Sequence, residues 1–315
     1  MARGLFIAVD WGTSHLRAYL CQRGEDTPLQ LLAQRCGPGV VKVSTDFKNT
    51  LLDCIAPWRQ QYGPLPILMT GQINSSIGWQ VSPYLDCPLQ PQEIATACQS
   101  FACEGHKITL LPGLRCALQN NLQDVMRGEE LQILGFLQLQ PSYKKGSILL
   151  CLPGTHSKWV LLRDGQIHCF KTAMTGELFD LLCHQSVLIQ ADSGVGDFDW
   201  AAFEQGCEFT LCSDSGNFVH GLFSVRTRQL SGEMTALQAK AYLSGLLIGS
   251  DVRAARNAKE WQLSQGSQVV VIGSSQLNRC FSLALSSIGV QCSEFDVQSA
   301  TLSGFSKLYQ LMEPA

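Results

Sequence analysis

Ile7-Ala8-Val9-Asp10-Trp11-Gly12-Thr13-Ser14 and Leu149-Leu150-Cys151-Leu152-Pro153-Gly154-Thr155-His156 read as two worn copies of one unit. The first runs on through Arg17-Ala18-Tyr19-Leu20 to a polar turn at Arg23-Gly24. The second runs through Trp159-Val160-Leu161-Leu162 to Asp164-Gly165. Each is an apolar strand, a Gly-Thr turn, a second apolar strand and a polar turn. Gly12 and Gly154 let a ligand approach the backbone, and the Thr and Ser amides and hydroxyls that follow can donate to anionic oxygens. One such turn is generic and also describes an ordinary hairpin. The matched pair predicts an α/β chain whose two related lobes hold the phosphates of a nucleotide between them.

The composition narrows the class. A chain of 315 residues is long enough for two lobes with ample core. An apolar share of 45% with 16% charge describes a folded globular chain. A formal charge of -3, with no basic run longer than Lys144-Lys145, argues against nucleic acid or an anionic membrane as partner. The N-terminus is too short in apolar residues before Asp10 for a signal-peptide core, and no window approaches a spanning helix. The 14 cysteines are scattered without any C-x-x-C; the closest pairs are Cys98 with Cys103 and Cys207 with Cys212. Reduced, mostly buried thiols in a cytoplasmic protein are expected. Cys183-His184 is read as structural, because sequence neighbours on a helix point about 100° apart.

Between the hairpins, the spacing of Leu51, Leu52, Ile55 and Trp58 predicts a helix over 47–61. A short strand at 67–69 then opens into a polar loop at 70–78. Another strand is expected at 108–111, and a helix with an acidic first turn at 129–139. The lobes are expected to be 1–134 and 135–315, with a last helix near 300–315 packing back on the first. In the second lobe, helices are expected at 174–188, 236–255 and 277–288, and a buried strand at 269–273 ends in Gly273-Ser274. Glycines four apart in the 236–255 helix suggest close packing or motion. Residues 189–220 carry too much Gly, Asp and Ser to assign.

The chemistry gathers at the strand ends. Asp10 closes a buried strand just before its turn, where a carboxylate can hold Mg²⁺ through water while Gly12, Thr13 and Ser14 bind phosphates. The bland alternative is an Asp capping its own turn. A second carboxylate must act as base, and Asp124-Val125-Met126-Arg127-Gly128-Glu129-Glu130 offers one, with a solvated helix N-terminus as the alternative. Thr175 and Glu177 could floor the site or simply start a helix. Gly273 and Ser274 suit a turn that faces adenosine. Among the cations, Arg17 and Lys158 sit inside the hairpins; Arg115, Arg127 and Lys171 are further candidates for anionic oxygens. The loop 70–84 carries Gln72, Asn74, Ser75, Trp79 and Tyr84, donors and a stacking face suited to a sugar.

These stretches together resemble the sugar-kinase, heat-shock-ATPase and actin superfamily, and within it the 2-dehydro-3-deoxygalactonokinase family. The marks are VDWGTSHLRAYL at 9–20, GWQVSPYL at 78–85, LPGL at 111–114 and VMRGEELQ at 125–132. They continue with LPGTHSKWV at 152–160, MTGEL at 174–178, LFSVR at 222–226 and LSGLLIGSDV at 243–252. The resemblance covers nearly the whole chain. It implies two ribonuclease-H-like, actin-like ATPase lobes around a nucleotide cleft, with ATP and Mg²⁺. It also implies transfer to the 6-hydroxyl of 2-dehydro-3-deoxygalactonate in galactonate degradation. Asp10, Gly12 and Thr13 become the first phosphate motif, Gly154, Thr155 and His156 the second, and Gly273 with Ser274 the adenosine turn. The GEE of 128–130 is similar to the acidic segment of exopolyphosphatases, which raises Glu129 or Glu130 above Asp124 as base. The chain departs from the family at Thr70, Gln72 and Asn74, where small residues are usual. A homodimer is compatible with the resemblance.

Two other classes compete with a kinase: a polyphosphate or nucleotide phosphohydrolase on the same lobes, and a nucleotide-binding regulator without catalysis. Sugar-type donors in 70–84 favour the kinase over the first. Asp10 and both glutamates argue against the second.

Overall fold

The structure, a computed structural model, describes residues 4–23, 29–43, 45–119, 122–190, 196–212, 218–261, 263 and 266–312. Gly24 of the first polar turn and the side chain of Cys212 lie outside the described residues, as do parts of the unassigned 189–220 stretch. The elements up to the middle of the chain are β1 (Leu5–Trp11), β2 (His15–Gln22), β3 (Gln30–Pro38), α1 (Val40–Val43), α2 (Phe47–Tyr62), β4 (Ile67–Thr70), β5 (Tyr84–Asp86), β6 (Gln99–Cys103), β7 (His106–Leu110), β8 (Gly113–Ala117), β9 (Gln123–Met126) and α3 (Glu129–Leu139). The remainder are β10 (Ser147–Leu152), β11 (Ser157–Arg163), β12 (Gln166–Ala173), α4 (Thr175–His184), α5 (Trp200–Cys212), α6 (Phe218–Leu230), α7 (Ala236–Arg256), β13 (Val269–Gly273), α8 (Ser275–Ser287), β14 (Cys292–Asp296) and α9 (Val297–Met312).

The chain divides into two compact units. The first takes the residues up to Gly146, 163–169 and from Val297 on; the second takes 147–162 and 170–296. The first unit's main sheet has the order β3-β2-β1-β4-β7-β6. β1 pairs with β2 antiparallel and with β4 parallel, and β4 pairs with β7 parallel. The other large sheet has the order β12-β11-β10-β13-β14, with parallel β10–β13 and β13–β14 pairs. Both place a hairpin beside a parallel run, so the repeat read in the sequence is a repeat of topology. This is the ribonuclease-H-like architecture of actin-like ATPases and sugar kinases.

Burial explains why these stretches form these elements. β1 is buried along nearly its whole length, as a strand covered on both faces must be. α2 turns Phe47, Leu51, Ile55 and Trp58 onto the sheet, and Asp46 Oδ1 caps it by accepting from the Asn49 amide. Trp11, with no exposed surface, meets Phe47 edge-on at 5.8 Å. Truncating Trp58 would cost about 3–5 kcal/mol.

Several boundaries differ from the sequence expectation. The division expected between 134 and 135 falls inside α3, which continues because Leu134, Phe136 and Leu137 are buried. The units part after Gly146 instead. α9 packs on α3, and its Tyr309 stacks on Phe6 at 4.5 Å. α4 stops at His184 rather than 188, and α8 starts at Ser275 rather than 277. The stretch left unassigned holds α5, which lies against α7. A Cβ on Gly245 would come within 2.0 Å of the Phe203 carbonyl oxygen, so the α7 glycines serve close packing.

Candidate active site

Three carboxylates gather at one end of the first unit's sheet. Asp10, the penultimate residue of β1, pairs with Arg17 on β2, whose Nη1 lies 3.5 Å from Asp10 Oδ2. In the parallel register Asp10 lies beside Thr70, the last residue of β4. The Thr70 hydroxyl donates to Glu130 Oε1 at 3.1 Å, and Glu130 Oε2 accepts the Gly128 amide at 2.6 Å. Gly128 has φ +114°, a conformation that favours glycine and turns the chain from β9 into α3. Glu129, half-buried, accepts the Arg127 amide at 3.2 Å.

The electrostatics follow from burial and like charge. Burial raises the Asp10 pKa, Arg17 pulls it back, and the charge of Glu129 adds to the rise. Glu130 has no exposed surface, and its carboxyl is pushed up to about 8, first by burial and then by Glu129. Crowded carboxylates of this kind attract a divalent cation, and Mg²⁺ usually takes only one or two of them beside water and phosphate oxygens. Among the described residues no three His, Cys, Asp or Glu side chains form an all-protein metal cage. Asp10 and the neighbouring Glu129 are the carboxylates here that could share Mg²⁺ with a phosphate.

The loop expected to meet the sugar is pinned from inside. Asn74, fully buried, donates from Nδ2 to the carbonyls of Met69 and Leu111, both at 3.1 Å. Ser75 Oγ donates to the Gln72 carbonyl at 2.7 Å. Arg127, 5% exposed, donates to the Ser82 hydroxyl and, at 2.8 Å, to the Ser82 carbonyl, while its guanidinium lies 4.3 Å from the Tyr84 ring centroid. Trp79 meets Phe101 edge-on at 5.4 Å. Asn74, Ser75 and Arg127 thus shape the loop; Gln72, Trp79 and Tyr84 keep partial exposure. Arg115 forms a two-bond ion pair with Asp86, and Lys171 pairs with Glu260 at 2.9 Å.

The second unit builds its site on the other hairpin. The turn Gly154-Thr155-His156 rests on the start of α4: the Glu177 amide donates to the Thr155 carbonyl at 2.9 Å, and the His156 and Glu177 side chains pair with each other. Gly176 is needed there, since a Cβ would come within 2.4 Å of the Gly154 carbonyl oxygen. Lys158, 4% exposed, donates to the His156 carbonyl at 3.2 Å. Beside the turn lies a cavity of about 490 Å³. Gly154, Thr175 and Gly176 line one part of it and Ser274 and Gln276 of α8 another, with Phe179, Phe198 and Phe281 among its apolar walls. Ser274 occupies the N-cap position of α8 without capping it, so its hydroxyl is not used by the helix. Gly273 ends β13, immediately before it. The size and the mixture of apolar wall and a few polar groups suit a nucleoside.

A family model for 2-keto-3-deoxy-galactonokinase matches residues 10–308. The chain belongs to that family. Members are phosphotransferases, and this chain is one. It is 33% identical over 313 residues to a Rhizobium meliloti protein named a probable 2-dehydro-3-deoxygalactonokinase, covering 99% of this chain and 98% of that one. It is 35% identical over 253 residues to the Escherichia coli 2-dehydro-3-deoxygalactonokinase, 80% of each. A Sinorhizobium meliloti crystal structure assigned provisionally to the same activity superposes with a TM-score of 0.84 at 33% identity, covering 98% and 97% of the two chains. These findings favour the kinase over the phosphohydrolase. No helix among the described residues is long and apolar enough to cross a membrane.

Sequence reasoning missed two groups. The Thr70–Glu130 bond joins residues 60 positions apart and leaves no local pattern. Asp251, 6% exposed, accepts from Trp159 Nε1 at 2.9 Å and Thr175 Oγ1 at 2.7 Å. A lone acid inside the apolar run LSGLLIGSDV was the available signal.

Proposed function

We propose that this kinase transfers the γ-phosphoryl group of ATP to the 6-hydroxyl of 2-dehydro-3-deoxy-D-galactonate, in the breakdown of galactonate. The observation that carries the residue assignment is the placement of Asp10 and Glu130 on either side of Thr70, with the charge of Glu129 acting on both carboxyls. Asp10 would hold Mg²⁺, which when bound neutralises charge on the β- and γ-phosphates. Glu129 is the base: it keeps exposed surface and carries its charge close to Asp10. It accepts the proton of the sugar hydroxyl as that oxygen attacks phosphorus, and ADP leaves. Glu130, with no surface to offer a substrate, orients the 127–129 turn.

In the second unit the cavity takes the adenosine, with Ser274 at its α8 side and the Gly154-Thr155 amides toward the phosphates. Gly12, Thr13 and Ser14 form the first unit's phosphate turn. Gln72, Trp79 and Tyr84 are the residues of the 70–84 loop proposed to meet the sugar acid. The free thiols of the described residues suit a cytoplasmic enzyme. Kinetics of Glu129→Gln test the assignment: turnover should fall about 10²–10⁴-fold, and a folded variant with near-normal turnover would refute it.

A further inference from the structure

Asp251 on α7 is a buried carboxylate with no part in the chemistry above. Three neutral donors converge on it: the indole N–H of Trp159, the hydroxyl of Thr175 and the hydroxyl of Ser157. They come from two different segments. Ser157 and Trp159 share one face of β11 directly after the Gly154-Thr155-His156 turn, and Thr175 opens α4. Ser157 and Thr175 also line the 490 Å³ cavity.

We propose that Asp251 is a positioning residue for the nucleotide, fixing the turn at 154–156 and the start of α4 as one rigid phosphate-facing wall. The inference rests on the nucleotide reading of that cavity. Its physical basis is the direction of two protons. A carboxylate only accepts, so the Ser157 and Thr175 hydroxyls must turn their hydrogens toward Asp251 and present lone pairs elsewhere. Neither can then donate to a phosphate oxygen. Phosphate recognition at this wall falls to backbone amides, and the two hydroxyls are left to accept from water or from a ribose hydroxyl. Burial raises the Asp251 pKa, and the hydrogen bonds from Thr175, Trp159 and Ser157 oppose the rise.

An amide cannot reproduce this arrangement. In Asp251→Asn the single carbonyl oxygen must serve Trp159, which has no other role than donor. The NH₂ then faces Thr175, whose hydroxyl has to accept and swing its proton away. Because the wall grips the nucleotide alike before and during transfer, the loss falls on binding rather than on turnover.

The test is calorimetric titration of wild type, Asp251→Asn, Thr175→Val and Thr175→Ser with ADP and Mg²⁺, without sugar acid, alongside KM for ATP and kcat. Asp251→Asn should weaken ADP and raise KM for ATP at least tenfold while kcat stays within threefold. Thr175→Val should weaken ADP at least fivefold, and Thr175→Ser, which keeps the hydroxyl, should restore it. Should Asp251→Asn fail to fold, the Val and Ser pair decides alone. Wild type that binds no ADP contradicts the nucleotide reading itself. Wild type that binds, with folded Asp251→Asn or Thr175→Val binding within twofold of it, overturns the role of Asp251 only.

Discussion

The Thr70 hydroxyl donates to Glu130 Oε1 at 3.1 Å, and this bond ties the end of β4 to the start of α3 beside Asp10. Glu130 is held there without exposed surface and with its carboxyl pushed up to about 8. The folded state therefore keeps a proton that the unfolded chain releases near pH 4.5. Stability from this group is complete below about pH 4.5 and is lost as pH rises toward 8, by at most about 1.4 kcal/mol per pH unit. Glu130→Gln lacks that slope. The melting temperature of wild type relative to Glu130→Gln should fall steadily between pH 5 and 8, and a flat difference would contradict the raised pKa.

Asp10→Asn should separate metal binding from folding. Removing a carboxylate whose ionisation is penalised by burial and by Glu129 should leave stability unchanged or slightly higher. Turnover should fall at least about a hundredfold, because Mg²⁺ loses its protein anchor. Equal melting curves with near-normal kcat would remove Asp10 from the metal site.

The two adjacent glutamates should part in kinetics. Glu129→Gln should lose kcat about 10²–10⁴-fold with KM for ATP nearly unmoved, as removal of a group used only in the transition state requires. Glu130→Gln should stay within about tenfold of wild type, since an amide can still accept the Gly128 N–H and donate to Thr70. The reverse pattern would exchange the two roles.

Gly176→Ala probes the second unit. Its new Cβ would lie 2.4 Å from the Gly154 carbonyl oxygen and 2.9 Å from Thr155 Cα, so the phosphate turn has to move. A rise of about tenfold in KM for ATP is expected, with a stability loss of about 1–3 kcal/mol typical of overpacking. Unchanged KM would mean that this turn does not touch the nucleotide.

Much of this was legible in the sequence because strands and glycine turns are local. The two hairpins, α2, α3, α7 and β13 follow from periodicity over a few residues, and α3 was expected over 129–139, the span it occupies. What stayed hidden depends on distance along the chain. α5 escaped because Gly206 reads as a breaker, whereas it lets α5 approach α7 to the backbone. Polarity alone also misleads about direction: Asn74 and Ser75 look like sugar ligands, yet their side chains hold the backbone of their own loop and its neighbour. Arg127 looks like an anion receptor; its two Nη atoms go to Ser82 and its guanidinium lies over Tyr84, while its buried Nε is left without a hydrogen-bond partner among the described residues. Unit boundaries depend on α9 joining α3 from the far end of the chain, which no window of sequence contains.

The central claim is that ATP is consumed only when a sugar acid accepts its phosphoryl group. ADP release should be followed with ATP and Mg²⁺, alone and with 2-dehydro-3-deoxy-D-galactonate, with the organic product analysed in the same reaction. Negligible ADP is expected without acceptor, and one ADP per 6-phosphorylated sugar acid with it. ADP and inorganic phosphate released at the same rate with or without the sugar acid would contradict it.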